Sequence, residues 1–576
     1  MNWLAAAVML LVQGSFALVP ASSGGLQSRL RRRHRAVEGA VSMQMQMTLG
    51  SVNPLLPPNA RRPACWSLKK EAKRKRTILA LDGGGVRGII AASILKVLEH
   101  ELRNQSNIPD LMIGECFDVV AGTSTGAILA TYLTAYCGND MKAITFPGTE
   151  IVLNGSAGSA LAMYKEMAKT IFSNPSSTWL VRGPKHAADA LEETLEAVMR
   201  TTLQDFTDAT PKRGPPDWLG PTLLVTAYDM VFRRPVAFVG DRLRGIPDFM
   251  RLDHFTFPYD DRALARAVSD YRWAELDKRF QKLKDDPNVR EVFGDAHNLT
   301  RLGDAELPLG KRRNEPGTAR YWKTNPGVKL WEICRCSSAA PTFFKPAVIR
   351  EYFRWPAPPD EAQKAVNLVA CDGGIVANDP AMQALNYLFT RGKLLDRYFK
   401  DLDGDATRVE IGEDEPKLVA DHMKDKIHKN RDFFTNLTLH DYAVLSIGVG
   451  ATFREQRVEA AEVIHSAADW LGGDFWRCRG SKGNIIDSLM TSSSTLAHFN
   501  LDVAFSNEGV PQQYLRVQCS ADQYEGSVGR APPPVFAALE RMDDPSRIED
   551  LKKIGDATAE LYRPLIAAFI KDYLLA

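Results

Sequence analysis

Neither sign of charge dominates this chain. Its 72 lysines and arginines stand against 70 aspartates and glutamates, a net of +2 over 576 residues. With no chain-wide positive field to draw in a polyanion, nucleic acid is not expected as a partner. Long apolar runs are scarce as well. Outside the extreme N-terminus no stretch approaches the roughly 18 residues of a bilayer-spanning helix, so none is expected in the mature chain. Cysteine is sparse: eight residues are too few for a disulfide scaffold at this length and read as buried free thiols. Cys334 and Cys336 form a C-x-C with no second pair at metal-ligand spacing. Asp401-x-Asp403-Gly404-Asp405 has its glycine too early for a calcium loop. No internal repeat occurs, which excludes a repeat architecture. The 45% apolar and 25% charged residues that remain describe an ordinary globular protein.

What is present centres on Phe117-Asp-Val-Val-Ala-Gly-Thr-Ser-Thr-Gly126. It reads as a buried strand, then Gly122-Thr-Ser-Thr-Gly126, then a helix from about Ala127. This is a G-x-S-x-G pattern, in which a serine sits on a tight strand-to-helix turn. Gly122 and Gly126 let the backbone turn sharply, the turn pushes the Ser124 hydroxyl out, and the helix N-terminus favours negative charge beside it. Upstream, Thr77-Ile-Leu-Ala-Leu81 reads as a strand running into Asp82-Gly-Gly-Gly-Val-Arg-Gly88, with a helix over 89–102. Gly83-x-Gly85-x-x-Gly88 matches the dinucleotide fingerprint by letter. A dinucleotide site also needs an acidic residue at the end of the next strand, and there the chain has the serine turn instead. The glycine loop is therefore better read as an oxyanion hole. Downstream, Ala365-Val-Asn-Leu-Val-Ala-Cys371 reads as a strand ending in Asp372-Gly373-Gly374, a carboxylate at a strand's C-terminal end, where α/β sites lie.

Pro221 to Asp229 and Arg234 to Phe238 read as a hairpin, and Tyr442 to Gly448 and Tyr514 to Gln518 as further strands. Helical patterns fall at 161–171, 186–201 and 546–574. The segment 240–321 is charged and loop-like, with one amphipathic helix, Arg262 to Lys284, as either a surface helix or a lid. Residues 1–60 read as a presequence, signal-like over 1–16 and basic, acid-poor and transit-like over 17–60. Ser15-Phe16-Ala17 resembles the cleavage motif of bipartite plastid presequences, so a plastid is the expected destination, with secretion the alternative. The basic run 61–76 reads as a solvated linker able to meet anionic headgroups.

Four motifs in order resemble the patatin-like acyl hydrolases: Asp82 to Gly88, Gly122 to Gly126, Ser337-Ser-Ala-Ala-Pro-Thr-Phe-Phe344, and Asp372-Gly-Gly-Ile-Val-Ala-Asn-Asp-Pro380. The similarity spans about 77–390 and continues more weakly to about 520. It differs from the plant pattern in Asp379, usually asparagine there, in the long 240–321 segment and in the presequence. The resemblance implies a three-layer α/β/α fold with a mainly parallel sheet, a catalytic domain over 77–390, and a C-terminal part, 391–576, packing on it. It implies a serine acyl hydrolase acting on membrane glycerolipids at the bilayer surface, with no metal or organic cofactor. Ser124 would be the nucleophile and Asp372 the base. The amides of Gly83, Gly84 and Gly85 would form the oxyanion hole, and Gly122, Gly126, Gly373 and Gly374 would support the turns. Arg87 would brace the loop or meet a headgroup. Two alternatives stay open. One is a Ser-Asp-His triad drawing on His422, His428, His440, His465 or His498; the other is a non-catalytic storage or lipid-binding protein.

Overall fold

The strand expected at 77–81 is buried along its whole length, and its side chains alternate between two cores. Leu79 and Leu81 enter one; Ile78 and Ala80 enter the other. A strand apolar on both faces belongs to a sheet covered by helices on both sides. The computed structural model shows such a fold, three layers α/β/α around a mainly parallel sheet. It describes residues 57–67, 74–242, 254–256, 323–355, 364–404, 434–451, 485–520 and 534–575, apart from short gaps inside these ranges. Residues 1–56, where a presequence is expected, nearly all of the 240–321 segment with the helix expected over Arg262 to Lys284, and His422, His428 and His465 lie outside the described residues.

The strands are β1 (Arg76–Leu81), β2 (Val119–Thr123), β3 (Ile144–Thr145), β4 (Val152–Leu153), β5 (Thr222–Asp229), β6 (Arg234–Gly240), β7 (His254–Thr256), β8 (Lys323–Thr324), β9 (Ala347–Trp355), β10 (Lys364–Asp372), β11 (Tyr442–Ile447) and β12 (Tyr514–Val517). The main sheet runs β12-β11-β1-β2-β5-β10-β9-β8. Its first five strands are mutually parallel. β10, β9 and β8 follow antiparallel, and β6 pairs antiparallel with β5 as the expected hairpin partner. β3 and β4 form a separate small hairpin.

The helices are α1 (Gly88–Ser106), α2 (Thr125–Ala135), α3 (Ala157–Phe172), α4 (Ala188–Val198), α5 (Leu203–Asp208), α6 (Leu330–Ser337), α7 (Gly374–Ala377), α8 (Ala381–Gly404), α9 (Ile485–Asn507) and α10 (Ile548–Phe569). α1 to α4, α6 and α10 cover the larger core, and α8 and α9 the smaller. Every residue of α2 is buried, which is why it is apolar all round with no polar stripe. None of the described helices is long and apolar enough to cross a membrane.

The basic run before β1 is not simply a solvated linker. Cys65 and Trp66 are in the core, and the Trp66 indole donates to Glu115 O at 3.0 Å. Arg74 makes a two-pronged pair with Asp118, at 2.8 and 2.9 Å, with 4% of its side chain exposed. Asp118 immediately precedes β2, so the pair ties the incoming chain to the strand that carries the serine turn. Asp118→Ala would leave the buried guanidinium without its counter-charge; we expect a loss of about 3 kcal/mol in denaturant unfolding. Lys165→Ala, breaking a more exposed pair with Glu549, should change stability by less than about 1 kcal/mol.

Candidate active site

β2 ends at Thr123 and α2 begins at Thr125, which leaves Ser124 alone on the turn with φ 53° and ψ −117°. A non-glycine residue held there stores roughly 1–3 kcal/mol of strain, so its surroundings must enforce it. The Ser124 amide donates to Ser337 Oγ at 2.8 Å, and its carbonyl accepts from Ala127 and Ile128 in the first turn of α2. Gly126 lets that helix close onto β1, since a Cβ there would lie 2.1 Å from Leu81 O. Gly122 faces Gly126 across the same turn.

The register of β5 brings Asp372 to this serine from 248 residues away. β6 occupies one edge of β5 from Leu223 to Asp229. On the other edge β2 pairs as far as Thr123 with Thr226, and β10 arrives antiparallel with Asp372 opposite Ala227. The two strands thus meet end to end on one edge, tip against tip. Ser124 Oγ donates to Asp372 Oδ2 at 2.7 Å, and the Gly374 amide donates to Oδ1 at 2.7 Å. The end of α6 and the residues just after it fasten both tips. Ser337 holds Ser124, Ala339 O accepts from Asp372 N at 3.1 Å, and Ser337 O accepts from Gly373 N at 3.4 Å. Asp372 is 1% exposed. Burial pushes its carboxyl up to about 7, while the Gly374 amide and the Ser124 hydroxyl pull the other way. A carboxyl so placed changes charge near neutrality.

The glycine loop lies beside this pair. Gly85, Ser124 and Asp372 line one apolar cavity. Gly83 differs from its expected role, because its amide already donates to Asn378 O at 3.3 Å. The Gly84 and Gly85 amides have no protein acceptor among the described residues. Gly85, at φ 58°, is pressed so close to Met542 O that a Cβ would sit 2.0 Å away. Arg87 is buried, with Nε on Gly84 O and Nη1 on Leu539 O, both at 3.3 Å. Those contacts tie the glycine loop to the chain at Leu539.

Sequence reasoning passed over the ion-pair network beneath the site. Arg516 on β12 reaches both oxygens of Asp82 at 2.7 and 2.6 Å, and Asp379 Oδ2 at 3.1 Å. Ser446 donates to Asp379 at 2.8 Å, and Asn378 reaches Asp82 through Ser494. Burial pushes Asp82 up to about 6 even with Arg516 drawing it down. Asp379 is thus a second counter-charge for Arg516.

Of the candidate histidines, two are described. His440 is exposed and faces Glu508, and His498 lies against the Tyr514 hydroxyl at 3.0 Å. Among the described residues no histidine contacts Ser124 or Asp372, and no three metal-ligating side chains cluster.

A family profile described as patatin-like phospholipase matches residues 79–385. Patatin-like protein 2 of Oryza sativa subsp. indica is 26% identical over 506 residues, 85% of each chain. Patatin-like protein 4 of Arabidopsis thaliana is 23% identical over 83% of this chain and 82% of its own. The solved structure of VipD from Legionella pneumophila aligns over 88% of this chain and 70% of its own, at 10% identity and a TM-score of 0.25, too slight to argue from.

Arg516→Met would leave Asp82 and Asp379 buried without a cation. We expect a loss of about 3–5 kcal/mol in chemical unfolding. Adding Asp82→Asn and Asp379→Asn to it should recover part of that loss.

Proposed function

The chain belongs to the patatin-like phospholipase family, and on that premise we propose that it hydrolyses the fatty acyl esters of membrane glycerolipids through a Ser124–Asp372 dyad. Lipid acyl hydrolysis is the activity that goes with the family; the dyad and the glycerolipid substrate are our reading. The observation that carries it is the 2.7 Å hydrogen bond from a strained, turn-mounted serine to a buried carboxylate.

In this reading Ser124 Oγ attacks the acyl carbonyl as its proton passes to Asp372 Oδ2. The developing oxyanion meets the Gly84 and Gly85 amides, with the N-terminus of α2 behind the nucleophile. Each such donor is worth roughly 10²–10³ in rate. Asp372 returns the proton to the departing alcohol, leaving an acyl-serine. It then takes a proton from water as that water attacks the acyl carbon, and Ser124 regains its proton as the fatty acid leaves. A carboxylate can do this because burial has raised its basicity; in water its ordinary pKa would make it too weak a base.

The sign of the pH dependence follows. The base must be ionised, so kcat/KM on a soluble ester should fall as pH drops through about 7 and level off above it. Assayed in EDTA, Ser124→Ala and Asp372→Asn should each lose at least roughly 10³-fold, while variants of His422, His428, His440, His465 and His498 keep their activity. Loss in one folded histidine variant would replace the dyad with a triad. An inactive wild type would leave a storage or lipid-binding role. We also propose delivery to a plastid by residues 1–60; a fluorescent protein fused behind them that is secreted instead would sink that assignment.

A further inference from the structure

The cavity at Ser124 is apolar, narrow and partly open. Ile128, Tyr164, Phe172, Leu191, Phe343 and Met542 are among its walls, and its free volume is about 30 Å³. That is room for a water or two and not for the acyl chain of a membrane lipid. Five of these walls come from α2, α3, α4 and the turn after α6, all packed into the larger core. Met542 packs into the same core but comes from none of these elements. It belongs to a strap, residues 539–543, that runs from the end of the 3₁₀ turn Pro534–Glu540 towards α10 and lines the site through Met542.

The strap is fastened at both ends. On the glycine-loop side, Arg87 Nη1 donates to Leu539 O at 3.3 Å and Val86 N donates to Met542 O at 2.7 Å. On the other side Asp543 pairs with the Lys185 ammonium and with His186 Nε2, the latter at 3.2 Å. Burial works against the Asp543 charge, but the hydrogen bonds from His186 and Lys185 more than offset it and hold the carboxyl below its ordinary range. This second fastening joins the strap to the opposite wall of the cavity. The Lys185 and His186 amides donate to Thr342 O and Phe343 O at 2.9 and 2.8 Å. The His186 ring lies 5.2, 6.3 and 5.8 Å from the rings of Phe172, Phe343 and Phe344, three residues that line the cavity. His186 Nδ1 has no partner among the described residues, so the ring's one polar tether is Asp543.

We propose that this strap is the adjustable wall of the acyl pocket, and that the latch of Asp543 on Lys185 and His186 sets which acyl chains the site accepts. The inference rests on the hydrolase reading above. A short acyl group needs little more than the space already present. A long chain must part Met542 from Phe343, and the latch spans that gap. The anchors to the Val86 amide and the Arg87 guanidinium would remain as the hinge. Weakening the latch therefore lowers the barrier for long chains selectively, whereas a merely structural role for Asp543 would depress every substrate alike.

The test compares kcat/KM for butyrate and palmitate p-nitrophenyl esters, the latter dispersed in detergent micelles, using the full chain. Asp543→Asn should raise the palmitate-to-butyrate ratio by roughly tenfold, the factor that corresponds to about 1.4 kcal/mol of lost restraint. Its butyrate value should stay within about twofold of wild type. Met542→Ala, which removes the wall itself, should shift the ratio in the same direction. Lys185→Met weakens the same latch from the more exposed partner and carries the test if Asp543→Asn loses its fold. Intact butyrate hydrolysis with an unmoved ratio in these variants overturns the strap alone, as does an equal loss on both esters. A wild type inactive on butyrate overturns the hydrolase reading and the strap with it.

Discussion

One edge of β5 is shared by two strands, and the site depends on that sharing. Had β2 continued past Thr123, there would be no place for β10; had β10 continued past Asp372, it would have collided with the serine turn. Because both stop, two chain reversals face each other at residues neighbouring on β5, Thr226 and Ala227. The Thr123 hydroxyl contacts the Thr226 hydroxyl at 2.6 Å and donates to Ala377 O at 2.7 Å, which fixes the spacing between the tips. A hydrogen bond between Ser124 and Asp372 follows from backbone register and does not depend on flexible side chains finding each other. Backbone register is a rigid support for reacting groups.

A buried carboxylate facing a hydroxyl is useful only if other charges do not neutralise it. Here the nearby cation is kept away from it. Arg516 is fully engaged with Asp82, Asp379 and Ser446, so the arginine holds the glycine loop to the chain after β10 without reaching Asp372. Asp372 keeps two uncharged partners, an amide and a hydroxyl. That separation explains why its carboxyl is pushed up to about 7 while Asp118, gripped by Arg74, is held below its ordinary value despite burial. The raised group also has a consequence for stability. Asp372 binds its proton more tightly folded than unfolded, so the stability it contributes in acid is lost as pH rises towards about 7.

How much of this could be read in advance follows from the range of each signal. The strands around the site are short apolar runs, because helices bury both their faces, and they end in glycine-rich turns; both are local features. The serine turn, the glycine loop and the Asp372 turn were therefore legible, as was the β5–β6 hairpin. What could not be read is long-range. Arg516 finds Asp82 across 434 residues, and no spacing marks one arginine among many as a buried counter-ion. The occupied Gly83 amide depends on where Asn378 falls after folding. Arg74 sits in a run that looks like any solvated basic linker, and only the position of Asp118 distinguishes it. β9 and α6 were missed for another reason. α6 is short, at eight residues, and β9 is rich in charged and aromatic residues with a non-glycine positive φ at Glu351, so neither shows a clean period.

Burial of the base and closure of the cavity are two aspects of one arrangement. Asp372 has its raised basicity because apolar side chains exclude water, and those side chains include walls that leave about 30 Å³ free. If a wall moved and only water followed, the carboxylate would be better solvated and a weaker base. If an acyl chain takes the space, apolar surface replaces apolar surface and the base remains desolvated while the ester is delivered to Ser124. The proposed dyad without histidine is therefore suited to a substrate that brings its own hydrocarbon. The nucleophile would be fully activated in the presence of the lipid chain, and water entering an open, empty site would weaken it.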